Sequence, residues 1–297
     1  MSETTLKRIL AALVVVVAAW GGFTLVSGRT GSAAPSADPV LDALASVEPA
    51  HLDRIRIEGR HDTVELARSG VAWTVDGYPA DSAAVKRILA ALDLSTGGDV
   101  VATNPANHAR LGVAADSAVR ATLTQGDRSV TVLVGRQGPS YGMAYLRLPD
   151  QDEVVLLQTD LRGALDRRLD DFRDKTIVAV DTARVRTVEI ERDGATVRVS
   201  RADSTWTLES GAPADSLRMR DLLREFSRFL ATGFAEAVPD TVDRSVLVRA
   251  LDAEGDTLAV VWIHGSESTR WATVPGTETV FQVPGWRADR LAPARER

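Results

Sequence analysis

Four histidines occur in the chain, His51, His61, His108 and His264. No two have the i, i+3 or i, i+4 spacing that lets a helix present two imidazoles to one metal ion. His51 and His61 lie within reach of each other across a hairpin, but no carboxylate pattern beside them completes a site. There is no cysteine, which excludes thiolate zinc sites, iron–sulfur clusters, thiol nucleophiles, disulfides and a cysteine-linked lipid anchor. No Ser-x-x-Lys nucleophile motif is present, and the Gly-x-Ser-x-Gly spacing at Gly138–Gly142 falls in a loop between two strand patterns, not at the strand-to-helix elbow that motif needs. Asp170-Asp171 stands among Arg167, Arg168 and Arg173, a pattern of i, i+3 pairs on a solvated face. The one glycine-rich loop, Gly135–Gly142, is preceded and followed by strand patterns and has no lysine. It therefore reads as a hairpin loop and not as a phosphate cradle, which must open a helix. Tyr141, Arg136 and Arg147 would then form a rim for a partner. Trp73 and Trp206 lie on strand patterns just before helices, which assigns them to core packing against those helices instead of carbohydrate stacking. No catalytic, cofactor-binding or metal-binding residue is assigned, and no enzymatic activity or cofactor is expected.

The elements that hold these residues are repeated. Leu52–Glu58 lines up with Val185–Glu191, both alternating apolar and polar as a half-buried strand does. Thr63–Ala67 matches Thr196–Ser200, and Val71–Val75 matches Ser204–Leu208, with Trp73 and Trp206 in the same place. Pro79-Ala-Asp-Ser82 recurs as Pro213-Ala-Asp-Ser216, where Asp and Ser are N-cap residues. Val85, Ile88, Leu89 and Leu92 then form one helical face, as Met219, Leu222, Leu223 and Phe226 do. Ala118–Thr124 with Ser129–Val134, and Val246–Asp252 with Thr257–Ile263, read as hairpins. Two more strands follow in each copy, Met143–Leu148 with Val154–Leu157 and Arg270–Val274 with Thr279–Val283. The first copy carries an insert, Asn104–Asp116. Short turns exclude parallel pairing, which needs a crossover.

The expected fold class is α+β: two tandem duplicated units, each a mainly antiparallel sheet with one packed amphipathic helix, preceded by one transmembrane helix. Residues 1–8 are the cytoplasmic N-terminus, 9–26 the membrane span, and 27–46 a flexible tether. Residues 47–159 are the first repeat unit, 160–176 a linker helix, and 177–292 the second repeat unit.

The span is expected because Ile9–Val26 contains no charge, and 18 helical residues cover about 27 Å, close to the hydrocarbon thickness. A cleaved signal peptide ending near Gly31–Ala34 is the alternative. Lys7 and Arg8 precede the run and Asp38, Asp42 and Glu48 follow it, which places the N-terminus in the cytoplasm and the bulk outside. An apolar fraction of 44% with 26% charged residues is that of a folded chain. A net charge of −6 offers no basic field to nucleic acid.

The ordered series Trp73, Pro79-Ala80-Asp81, Val85–Leu92, Asn107–Val113, Val134-Gly135, Tyr145-Leu-Arg147 and Arg173–Lys175 resembles the bacterial domain-of-unknown-function family numbered 4340. The resemblance is closest over Val47–Lys175, and Leu111 stands where that family has an aromatic residue. It implies membrane anchoring and genes beside ABC-type export systems, including those of gliding motility, and it carries no catalytic residues. The expectation is a membrane-anchored extracytoplasmic protein of the bacterial envelope, a binding or scaffold accessory subunit of a transport or motility complex. Its partners would be the membrane and other envelope proteins, without nucleic acid. An envelope hydrolase using paired carboxylates, or a glycan- or peptide-binding module, are the alternatives.

Overall fold

Alternating patterns become antiparallel strands nearly everywhere they occur. A computed structural model describes residues 39–94, 97–240, 242 and 245–293. The chain divides into two compact units that do not coincide with the two repeats. One takes the described residues up to Arg60 together with Leu89–Asp166. The other takes His61–Ile88 and the described residues from Arg167 onward.

In the first unit, β1 (Arg54–Glu58), β6 (Val119–Gln125), β7 (Arg128–Gln137), β8 (Met143–Arg147), β9 (Val154–Gln158) and β5 (Asp99–Ala102) follow one another in that order, each antiparallel to the next. The period of two sends Ile55 and Ile57 to one face of β1, opposite Leu123 and Ala121 of β6, and all four are buried. Helix α1 (Pro39–Ala45) precedes β1. Helices α3 (His108–Leu111) and α4 (Leu161–Leu165) are single turns.

The second unit contains a meander of β2 (Thr63–Ser69), β3 (Ala72–Val75) and β4 (Tyr78–Pro79). Helix α2 (Ser82–Leu92) leads from it into the first unit. After β10 (Thr176–Val178), an eight-stranded antiparallel sheet is built from β11 (Thr187–Arg192), β12 (Ala195–Ala202), β13 (Thr205–Leu208), β15 (Gly233–Ala235), β16 (Ser245–Leu251), β17 (Thr257–His264), β18 (Thr269–Thr273) and β19 (Val280–Pro284). Its order is β13-β12-β11-β16-β17-β18-β19-β15. β14 (Phe229–Leu230) pairs with β10. Val188, Val248, Val261, Ala272 and Phe281 share a core with Met219, Leu222 and Phe226 of helix α5 (Ser216–Ser227) and with Ala288 and Leu291 of α6 (Gly285–Leu291). Burying each large apolar side chain of this kind contributes about 1.5–3 kcal/mol.

Aspartate–glycine turns set the hairpin registers. Asp76-Gly77 between β3 and β4, and Asp193-Gly194 between β11 and β12, have positive φ at both positions, the two-residue turn whose twist matches a hairpin.

The expected fold class needs correction. Among the described residues nineteen strands dominate the fold, so it is a mostly antiparallel β-structure and not an even α+β pairing of one sheet with one helix. No helix among the described residues is long and apolar enough to cross a membrane. The two longest, α2 and α5, have 11 and 12 residues, about 18 Å at 1.5 Å per residue against a hydrocarbon thickness of about 30 Å. The run 9–26, expected as the span, lies outside the described residues. The tether expected over 27–46 ends in a helix: Pro39 supplies a pre-set φ in the first turn, and Val40 and Leu44, four residues apart, are buried together.

The linker expected as one helix over 160–176 is broken. Only α4 and a 3₁₀ turn at Leu169–Asp171 form. Between them the Asp166 carboxylate meets Arg60 at 2.9 Å and Arg162 at 2.7 Å, and the Leu169 amide donates to Asp62 Oδ2 instead of a helical carbonyl. Side-chain acceptors have captured the backbone, which is how Asp ends helices.

The tryptophan strands repeat in detail. Arg68 faces Trp73 across β2–β3, and Arg201 faces Trp206 across β12–β13. Each guanidinium lies over its indole, 5.2 and 5.7 Å from the centroid. Thr74 and Thr207 donate to the carbonyls of Ala67 and Ser200. Both tryptophans are half-buried, not the fully buried core residues expected: their cross-strand partner is a cation whose charge must reach water. Trp206 does pack on the α5 core, as expected.

Asp81 and Asp215 cap the helices that follow. Asp81 Oδ1 accepts from Ala83 and Ala84, and Asp215 Oδ1 from Leu217 and Arg218. Asp81→Ala and Asp215→Ala are each expected to cost about 1 kcal/mol, as N-cap losses do. Urea denaturation with an unchanged m-value checks this, and equal losses are expected from the two sites.

Candidate functional site

Alternation along β17 turns Ala259, Val261 and Ile263 into the core and leaves Trp262 and His264 on the other face. Ser245 of β16 stands directly opposite His264, and Thr273 of β18 directly opposite Trp262. Pairing alone therefore collects Ser245, His264 and Thr273 at one spot from three strands. His264 Nδ1 lies 2.8 Å from Ser245 Oγ, and Nε2 lies 2.9 Å from Thr273 Oγ1. The imidazole stacks on Trp262 with 16° between planes. Ser245 also lines a polar recess of about 440 Å³ with Arg192, Asp193, Arg270 and Asp289, where Arg270 and Asp289 are paired at 2.7 Å.

A hydroxyl against an imidazole nitrogen is the first half of an activated nucleophile. The second half is a carboxylate that orients the ring and stabilises its charged form. Here the other nitrogen meets a threonine hydroxyl, and burial pushes the His264 pKa below its ordinary value. The cluster therefore holds a neutral imidazole bridging two hydroxyls across three strands.

The other singled-out residues are dispersed. His51 is exposed and lies 2.8 Å from Glu48; His61 is exposed. His108 is buried, its Nε2 2.9 Å from the Asp152 carbonyl. Among the described residues no group of three or more His, Asp or Glu is placed to hold a metal ion. Gly135–Gly142 spans the β7–β8 turn, with the Gly138 amide donating to the Met143 carbonyl at 2.7 Å. A side chain at Gly135 would strike the Leu111 carbonyl at 2.5 Å, so glycine there lets the α3 segment lie on β7.

Arg147 does not join Arg136 and Tyr141 on a rim. It is buried, donating to the carbonyls of Val113, Leu148, Pro149 and Gln151. Burial lowers its pKa, against the pull of the nearby Asp152 carboxylate. Tyr141 is 85% exposed. Asp170 and Asp171 pair loosely with Arg173 and Lys175, at 3.6 and 3.7 Å.

The buried carboxylates are held by arginine. Glu189 meets Arg198 at 2.6 Å and Arg249 at 3.4 Å. Glu225 of α5 accepts from Arg287 Nε at 2.9 Å and lies near Arg290. Asp252 pairs with Arg184 and caps the turn at Asp256. Each carboxylate is thereby occupied by charge-assisted hydrogen bonds from a guanidinium. Arg198, Arg249, Arg287 and Arg184, on which the sequence reading placed no role, thus hold elements of the second unit together. Only three-dimensional pairing shows this, because Glu225 and Arg287 are 62 residues apart.

One end strand carries exposed apolar side chains. β5 is an end strand of its sheet, hydrogen-bonded to β9 along one side. Val100 and Val101 are 48% and 42% exposed. Natural sheet edges are kept short, charged or bulged, and β5 is four residues long, opens on Asp99 and shifts register between Val100 and Ala102, with its two valines exposed all the same. Sequence reading missed β5, because Asp99–Ala102 is too short to show a period.

His264 yields a pH dependence. Its folded pKa lies below the ordinary 6.5, so the unfolded chain takes up the proton first and stability falls as pH drops below about 6.5. Denaturation midpoints between pH 7.5 and 5.5 should decline in the native chain and decline less in His264→Gln.

Comparison with curated proteins and with solved structures finds no match. A family model does match, the one described as Domain of unknown function (DUF4340), over residues 73–247. The match opens at Trp73 and runs through Trp206 and helix α5 to β16, so it reaches further into the second repeat than the motifs of the first repeat indicate. It covers more than half of the chain, and the chain belongs to the DUF4340 family.

Proposed function

We propose that the chain is an extracytoplasmic binding or scaffold protein, an accessory subunit of an envelope transport or motility complex. The observation that carries this reading is the β5 edge, where Val100 and Val101 stand exposed on an end strand of the sheet. An extended segment of a partner protein adds to such an edge by main-chain hydrogen bonds, with alternate side chains seated on the apolar positions. The uncharged run Ile9–Val26 supports delivery to the envelope, since a stretch of that composition is read by export machinery. The buried carboxylates of Glu189, Glu225 and Asp252 are each taken up by arginine, an arrangement that serves the fold of a binding or scaffold protein. The indoles of Trp73 and Trp206 each have an arginine over one face, which leaves less ring for a glycan.

Affinity purification of the full-length chain from its own envelope in mild detergent tests this. The native chain is expected to retain at least one envelope protein that Val100→Lys/Val101→Lys loses, with the variant's denaturation midpoint unchanged. Recovery of the same proteins by both chains, or of none by either, would overturn the accessory reading. Fractionation of the same cells should place the native chain outside the cytosol.

A further inference from the structure

An apolar recess of the second unit lies between the start of α5 and the strands β11–β13. It has a volume of about 550 Å³, within the roughly 300–1,000 Å³ range of small-molecule sites. Its walls include Val197, Val199, Leu208, Met219 and Leu222. They are aliphatic throughout and include a methionine, the residue that adapts most readily to an irregular chain. Two cations sit among the lining residues, Arg192 and Arg218. Arg192 is fixed there by donating from Nη2 to the carbonyls of Ala292 and Pro293, at 3.0 and 3.2 Å. Arg218 stands on the first turn of α5, its Nε 3.6 Å from Asp215, and Asp215 also caps that helix.

The repeat shows which of these features are general. At the offset that aligns the two copies, Val197, Val199, Leu208, Met219 and Leu222 correspond to Val64, Leu66, Val75, Val85 and Ile88, so the aliphatic wall belongs to both. Arg192 and Arg218 correspond to Gly59 and Ala84. The two cations thus occur in the second copy and not at the aligned positions of the first, and in this recess they stand beside an apolar wall.

We propose that this recess binds an amphipathic anion, a medium-chain aliphatic carboxylate, with its chain against the Val199–Met219–Leu222 wall and its head group on Arg192 and Arg218. A carboxylate suits the guanidinium fork, which meets its two oxygens in parallel. An aliphatic tail suits walls without an aromatic ring. This proposal is independent of docking at β5, which lies in the other compact unit.

The three methionines, Met1, Met143 and Met219, make the test direct. The full-length chain, labelled with ¹³C-methyl methionine and held in phosphatidylcholine nanodiscs, is titrated with sodium decanoate and separately with decan-1-ol. Met219→Leu assigns the reporting signal, and Met143 of β8 is the internal control. A saturable shift of the Met219 methyl by decanoate, with Met143 still, is expected. Arg218→Ala should raise the decanoate concentration at half-shift by about tenfold, and Arg218→Glu by more, with the decanol titration unchanged. No Met219 shift up to the solubility of decanoate overturns the proposal. So do equal shifts by decanol and decanoate, equal shifts at Met219 and Met143, or an Arg218→Glu titration matching the native one.

Discussion

Arg173 holds together parts of the second unit that are far apart in sequence. Its guanidinium lies between two rings, 3.9 Å from the centroid of Tyr78 and 3.6 Å from that of Phe234, with the side chain 12% exposed. Among the described residues its Nε has no hydrogen-bond partner, so the ring faces supply the attraction that hydrogen bonds would otherwise provide. Arginine tolerates this because its charge is delocalised and weakly hydrated; lysine would lose more on leaving water. The backbone on either side follows the same alignment. The Asp81 amide donates to the Phe172 carbonyl, the Asp174 amide to Pro79, and Ala80 bridges to Arg173. The Pro-Ala-Asp helix start and the Arg-Asp-Lys segment, which sequence reading treated as separate motifs, are therefore two sides of one antiparallel contact.

That contact explains why the compact units differ from the repeats. Tyr78 belongs to the first repeat and Phe234 to the second, yet both touch one arginine in the same unit. A duplicated gene supplies two copies of a local pattern. Which strands then share a unit depends on contacts such as this one, which occur once. Phe234 continues into the sheet core through Phe281, 5.7 Å away.

Arginine recurs as the residue that completes this structure. It covers Trp73 and Trp206, satisfies Glu189 and Glu225, and as Arg147 gathers four carbonyls around one loop. A planar fork with five donors serves each of these sites. Removing one partner of such a buried pair leaves an uncompensated charge, so these positions matter more to folding than their place in charged stretches indicates. The two surfaces proposed for ligands differ in kind: a short apolar edge in one unit and an aliphatic recess beside two arginines in the other.

By itself the sequence determined what depends on near neighbours in the chain. Alternation located β1–β3, β6–β9, β11–β13 and β16–β19, and Asp81 and Asp215 marked the helix starts, because each of these signals is local. The repeat was legible for the same reason, as was the family. Tertiary structure decided the rest. The helix expected over 160–176 broke because Asp62, a hundred residues earlier, took the Leu169 amide. The tryptophans stayed half-buried because each faces an arginine across a strand pair. Arg147 left the expected rim for the interior because carbonyls of a neighbouring loop converge on it. Ser245, His264 and Thr273 met only because β16, β17 and β18 pair in one register. A register depends on every hydrogen bond along a ladder at once, so no single stretch of sequence contains it.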